Sequence, residues 1–431
     1  MQKLKNAVAV ICFVALFFAC GSLLNYILID DSSSYTRVMM HEMYGQEENI
    51  DILFVGSSHC YRSLDPKITD KMFDANTFNV GSSAQEIDGS LALLKEVAKK
   101  NDLKQVYLEV YYEISQTGAF EDRTDMVSTY IISDYMHPSM NKLGYLLRAS
   151  SKEHYSNSFI LARRNWEKMF EQDYVKNTLQ AKDAEWYKEY AYPFSEHESY
   201  EGKGYVAVEQ VGNTYEFSHF PAFETEKVSE DYVNTLKKII RFCDKEGIEL
   251  TLFSTPMPEF RLVDMGNYDD YIAFMNEMLA GTDVKYYDFN LCREKYLSFD
   301  ESYYADTDHI NAKGAVQFSR LFCDFFNGKI AEEDLFYDSY AERIREQGPD
   351  VYGAIAEYEA SGKFTIVPVT SAAAEDLRYT VNWMPESGKK VSLQVRDANT
   401  KVEIPDDKNG EVEVIVYIDN IEMHRVEIPR M

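Results

Sequence analysis

A serine, a histidine and a carboxylate stand in two short blocks of this chain, Gly56-Ser57-Ser58-His59 and Asp306-Thr307-Asp308-His309. These are the side chains that acyl transfer through a covalent serine ester requires. A serine hydroxyl is a weak nucleophile at neutral pH, so a base must take its proton as it attacks. Ser58 is the candidate nucleophile and His309 the candidate base. Asp306 precedes His309 by three residues, so a single turn can bring its carboxylate to the ring's Nδ1 and leave Nε2 for the serine. His59 should point away from the nucleophile, as a structural or substrate-edge residue. Asp308 is expected on another face of its turn, toward solvent or a helix cap. His59, Asp306, Asp308 and His309 together have no recognised metal-ligand spacing, so neither a metal nor another cofactor is expected.

The elements around these blocks say how they would be positioned. Ile52-Leu53-Phe54-Val55 is a continuous apolar run, as expected of a strand buried on both faces of a parallel sheet. A tight turn through Gly56 would then present Ser58 at the sheet's carboxyl edge, where open α/β sheets place their ligands. Strands are expected at 77–80, 105–112, 248–254 and 284–289, and helices at 85–100, 228–246, 267–280 and 312–327. Ser229 is the expected N-cap of the second of these helices and Gly247 its end. Alternation of this kind predicts an α/β fold with a parallel sheet and helices on both faces.

The region 31–335 forms this α/β domain, interrupted by an aromatic-rich insertion at about 115–225. Helical patches are expected there around 124–136 and 155–179. The insertion is too long for a plain loop and predicts a helical cap or wall, either a substrate lid or a structural elaboration. Residues 336–360 read as a charged linking helix. Residues 361–431 read as a small all-β, sandwich-like domain, with hairpin-turn signals at Asn409-Gly410 and Asp419-Asn420. Such a module could bind polysaccharide or protein, or act as a spacer.

Residues 1–30 decide which substrates are within reach. Ala7 to Ile29 is almost wholly apolar and long enough to cross a bilayer as a helix. Lys3 and Lys5 precede it and Asp30 and Asp31 follow, which predicts a single-pass signal anchor with an extracytoplasmic body. A cleaved signal peptide or a lipoprotein processed at Cys20 are the rival readings, and both also export the body. The formal charge of −28 disfavours nucleic acid as a partner. Two of the six cysteines lie in the apolar segment, and the other four lack paired short spacing. They predict buried thiols or at most one disulfide.

The two chemical blocks in this order resemble the SGNH (GDSL-like) hydrolase superfamily. In that family the nucleophile is the third residue of a Gly-Asp-Ser or Gly-Ser-Ser block after strand one, and the aspartate and histidine share a late Asp-x-x-His block. An anchored chain with Gly-Ser-Ser looks like the DltD-type and alginate-acetylation-type branch. The resemblance spans about residues 50–330 and implies a three-layer α/β/α fold and an acyl-serine intermediate. It implies oxyanion donors at the Ser58 and Gly81 backbone N–H groups, Gly81 lying in the second block, Asn79-Val80-Gly81-Ser82. The family's third block, Gly-x-Asn-Asp, is missing: strand three reads Leu108-Glu109-Val110-Tyr111-Tyr112. An ionised Glu109 cannot donate and would oppose an oxyanion, so either Asn79 or Gln85 supplies a further donor or only two donors exist.

These readings lead to one functional expectation: an extracytoplasmic, membrane-anchored serine esterase or O-acyltransferase. Its partners would be a cell-surface glycan or related envelope polymer, a membrane-bound O-acyltransferase, and the lipid bilayer through the N-terminal helix. The alternative is a non-catalytic polysaccharide-binding or assembly protein that keeps the fold.

Overall fold

The long apolar segment forms helix α1 (Gln2–Leu28), whose stretch Lys5–Leu28 is long and apolar enough to cross a membrane; most of that stretch is exposed, and Leu28 at its end is buried. The computed structural model describes residues 2–191, 195, 197–212, 220–358, 363–385, 390–395, 402 and 410–428. The chain divides into two compact units, residues 1–209 with 226–252, and residues 210–225 with 253–431.

In the first unit α1 is followed by α2 (Tyr35–Gly45), β1 (Ile52–Val55), α3 (Ser58–Ser63) and α4 (Pro66–Phe73). Then come β2 (Thr77–Asn79), α5 (Ile87–Val97) and β3 (Gln105–Glu109). Leu53, Phe54 and Val55 are fully buried, because β1 runs parallel between β2 and β3. Ile52 is in register with both Thr77 and Gln105. β3 is shorter than the expected 105–112. Its ladder with β1 ends at Val55↔Leu108, since β1 turns away at Gly56, and Tyr112–Ser115 is already helical.

The insertion holds helices Val127–Ser133, Met140–Ala149, Tyr155–Phe159 and Gln172–Asp183, and a hairpin of β4 (Glu198–Gly202) and β5 (Tyr205–Val208). Helix Glu230–Glu246 is capped by the Ser229 hydroxyl, which accepts from the Tyr232 N–H, and ends in a left-handed Gly247. β6 (Glu249–Ser254) and β7 (Lys285–Asp288) complete a five-stranded sheet of order β2-β1-β3-β6-β7.

In the second unit, helices Glu259–Met265, Tyr268–Leu279 and Ala312–Phe326 accompany β7. Among its described residues, the charged stretch expected as a helix over 336–360 is helical only at Tyr340–Gln347. Gly348 (φ 84°) and Pro349 stop it, and β8 (Val351–Tyr358) follows. β8 pairs with β9 (Phe364–Thr370). A four-stranded antiparallel sheet of order β11-β10-β12-β13 is built from β10 (Leu377–Pro385), β11 (Val391–Val395), β12 (Gly410–Ile418) and β13 (Ile421–Ile428). The two sheets share one apolar core, including Val351, Phe364, Ile366, Tyr379, Val414 and Val416. The Asp419-Asn420 turn joins β12 to β13 with both residues at positive φ (49° and 66°). Asn409 of the other expected turn lies outside the described residues. Cys60, Cys243, Cys292 and Cys323 are buried free thiols.

Candidate active site

The first unit carries the serine block. β1 ends at Val55, and Gly56 turns the chain into α3, whose first residue is Ser58, half-buried. Ser57 is the N-cap, its hydroxyl accepting from the His59 N–H at 3.2 Å. Glu109, buried at the end of β3, sits beneath this turn and accepts the Ser57 N–H on Oε2 at 2.6 Å. Only glycine fits at 56, because a Cβ there would stand 2.5 Å from both Cβ and Oε2 of Glu109. Glu109 therefore anchors the nucleophile turn. Sequence reasoning considered it only as a poor substitute for an oxyanion donor. The signal available was the pairing of a glycine after one strand with an acid at the end of its neighbour. Burial, and then the charge of Glu109, push the Cys60 thiol well up.

Of the residues expected as oxyanion donors, Ser58 opens α3, while Asn79 at the end of β2 and Gly81 and Gln85 in the loop after it are hydrogen-bonded to neighbours. The Gly81 N–H donates to Asn79 Oδ1 at 2.9 Å. Asn79 Nδ2 donates to the Cys60 carbonyl at 2.9 Å. Gln85 is buried, with Oε1 accepting from the Ser82 hydroxyl at 2.8 Å and Nε2 donating to Ser90 Oγ at 3.1 Å. The loop nonetheless lies against the nucleophile turn, since a Cβ on Gly81 would meet the Ser57 carbonyl at 2.9 Å. The His59 ring is buried against Tyr111, with centroids 4.4 Å apart.

The insertion holds this loop from its other side. Asn79 donates its N–H to the Lys203 carbonyl in the β4–β5 turn at 2.9 Å. Gly204 (φ 83°) comes so close that a Cβ would lie 1.7 Å from the Asn79 carbonyl oxygen. Arg123, also from the insertion, grips Asp88 at the start of α5 through two hydrogen bonds of 3.0 Å. These contacts give the insertion a structural role.

The second unit carries the other block. Asp306 Oδ1 accepts the backbone N–H groups of Asp308 and His309, each at 2.8 Å. The His309 Nδ1 lies 2.9 Å and 3.0 Å from the two carboxylate oxygens. With Nδ1–H donating to the carboxylate, a neutral ring carries its lone pair on Nε2. Burial raises the Asp306 carboxyl, but the His309 ring and the two backbone donors outweigh it and hold the group down at about 2. The surrounding loop is pinned at several points. Ala305 donates to the His309 carbonyl at 2.8 Å. Tyr304 OH donates to the Met257 carbonyl at 3.0 Å. Asn311 caps helix Ala312–Phe326 through the Gly314 N–H at 3.1 Å. Asp308, expected toward solvent or a cap, pairs with the buried Arg261 at 3.0 Å. A cavity of about 590 Å³ opens beside this loop, lined by Phe260, Phe299, Tyr304 and Tyr352 together with Glu259 and His424.

The structure thus brings Asp306 and His309 together in one unit, and Ser58, Asn79, Gly81 and Gln85 together in the other. No family model and no curated protein matches the chain. A solved structure from Streptococcus pneumonia, described as a candidate platelet activating factor, is similar at 11% sequence identity and a TM-score of 0.31. The similarity covers 71% of this chain and 98% of that one.

Proposed function

We propose that the protein is a membrane-anchored, extracytoplasmic serine esterase or O-acyltransferase of the SGNH type, with a three-layer α/β/α catalytic domain. It acts on a cell-surface polysaccharide or a related envelope polymer. The observation that carries this reading is the Asp306–His309 pair, preorganised at 2.9 Å, in a chain whose first sheet strand ends in a half-buried serine on a tight turn. Ser58 Oγ attacks the ester carbonyl while His309 Nε2 takes its proton. The tetrahedral intermediate collapses as His309 returns that proton to the departing alkoxide, leaving an acyl-Ser58 ester. A sugar hydroxyl or water, deprotonated by His309, then takes the acyl group and regenerates Ser58. Asp306 holds the ring and stabilises the imidazolium. The aromatic-lined cavity beside the dyad loop is of a size suited to a sugar unit, and a membrane-bound O-acyltransferase would be a natural acyl source.

This mechanism requires Ser58 Oγ to come within hydrogen-bond reach of His309 Nε2. The test is labelling of the full chain with a fluorophosphonate, located by peptide mass spectrometry. An adduct on Ser58 that is lost in His309→Ala supports the reading. No adduct in a folded sample overturns it.

A second reading, a polysaccharide-binding or assembly protein without catalysis, is favoured by one observation. The Gly81 N–H is committed to Asn79 Oδ1, and Asn79 Nδ2 and Gln85 Nε2 each donate to another acceptor.

A further inference from the structure

We propose that the segment from Tyr155 to Lys182 is a membrane-interfacial element, seating its exposed apolar side chains among the lipids of the leaflet where α1 leaves the bilayer. The proposal rests on reading α1 as a bilayer span.

The segment is hydrogen-bonded to the last turn of α1 and the residue after it. Asn25 Oδ1 accepts the Ala162 N–H at 2.9 Å. The Leu28 carbonyl accepts from Tyr174 OH at 2.8 Å and from Asn165 Nδ2 at 3.0 Å. The Ile29 carbonyl accepts from Lys182 Nζ at 2.5 Å, and the same ammonium pairs with Asp31 at 2.9 Å. Carbonyls at a helix's C-terminal end have no partner within the helix, and here the insertion supplies it. This collar fixes the height of the segment on the stem.

That height is the level of a leaflet's polar–apolar boundary. The 24 residues Lys5–Leu28 rise by ~36 Å at ~1.5 Å each, against a hydrocarbon core of ~30 Å. The last turn of α1 therefore emerges among the headgroups, and residues bonded to Asn25 and Leu28 lie beside it. The side chains presented there are unlike an ordinary soluble surface. Phe159, Ile160, Met169 and Leu179 are exposed, Trp166 is 59% exposed and Phe170 77%. Aromatic rings are enriched at this level of membrane proteins, whereas a contiguous exposed apolar patch is a liability in water.

Charge and shape agree. The chain as a whole carries −28, yet within Tyr155–Lys182, once Arg164 is paired with Asp134 and the buried Lys182 with Asp31, three Lys and Arg stand against three Asp and Glu. A near-neutral segment within an acidic protein is repelled least by an anionic lipid surface. An open groove of about 720 Å³ runs between the stem and helix Gln172–Asp183, with Tyr26, Met169, Val175 and Leu179 among its walls. Lipid acyl chains at the foot of the stem would fill it.

The test uses the full chain in vesicles of phosphatidylcholine and phosphatidylglycerol, with and without doxyl-labelled phosphatidylcholine as quencher. The chain has three tryptophans, so the Trp166 signal is taken as the difference between the natural protein and Trp166→Phe. A bimane on Cys12 in a Cys20→Ser background reports on the span itself. Quenching of the bimane together with loss of roughly half of the Trp166 emission is expected for a side chain at headgroup level. A quenched bimane with an unquenched Trp166 overturns the interfacial element and leaves the span standing; a dimer-sized particle would then give the patch to a second copy. An unquenched bimane overturns the span and the proposal with it.

Discussion

Glu109 Oε2 and the backbone N–H of Ser57 are 2.6 Å apart, so the turn that presents the candidate nucleophile hangs from the end of the neighbouring strand. Gly56 makes this possible by leaving the volume that the Glu109 side chain fills. Gly56→Ala is expected to destabilise the fold by ~1–3 kcal/mol through overpacking of a closed site. Glu109→Ala in the same chain should not restore stability, because the clash with the Cβ of residue 109 remains at 2.5 Å. Urea unfolding of the single and double variants measures this. Full recovery in the double variant would place the strain elsewhere.

Asp306→Asn separates holding the histidine from holding the loop. The amide oxygen can still accept the two backbone N–H groups, so the melting temperature should change little. An Asn amide favours the wrong ring tautomer, and in a serine–histidine–aspartate mechanism that costs ~10⁴-fold in kcat. Turnover of a chromogenic acetate ester measures this, and an unchanged kcat would remove Asp306 from the mechanism.

The depressed Asp306 carboxyl also predicts a pH dependence of stability. Its folded value of about 2 lies below the ordinary aspartate value of ~3.9, so its contribution is fully present above that ordinary value. The contribution is lost as pH falls through the folded value. The stability difference between the natural protein and Asp306→Asn should therefore shrink steadily below about pH 4. A difference that stays constant down to about pH 2 would contradict the assignment.

Gly204 carries the insertion's hold on the loop after β2. Its φ is 83°, and a methyl carbon added there would stand 1.7 Å from the Asn79 carbonyl oxygen, so Gly204→Ala cannot keep the hairpin docked. The loss is expected to be ~3 kcal/mol or more, combining backbone strain with a steric clash. Limited proteolysis should begin within residues 195–205, and an unchanged cleavage pattern would show that the hairpin is not held there.

Much of the α/β architecture was legible from pattern alone. The run Ile52–Val55, the Ser229 cap and the Gly247 stop all appear where periodicity and capping chemistry put them. The two chemical blocks were legible as residue types, and the spacing of Asp306 and His309 predicted the bond between them. The partners of Gly81, Asn79 and Gln85 were not legible, because short polar side chains can satisfy neighbouring backbone groups and sequence does not say which they choose. β8 was hidden because the charged Tyr340–Gln347 helix ends only four residues before Val351, so one charge pattern masked two elements. The β4–β5 hairpin was missed because its first strand, Glu198–Gly202, is polar, although Gly202-Lys203-Gly204 marked the turn.

The hydrogen bonds that Asn165, Tyr174 and Lys182 make to Leu28 and Ile29 leave no slack at the foot of the stem. A flexible leash would let the serine-bearing unit sweep a broad volume; a bracket of this kind sets it at one standing distance from the surface that α1 enters. Reach is then determined by architecture: the elevation of the serine above the foot of α1 is set by these bonds and not by a tether's length.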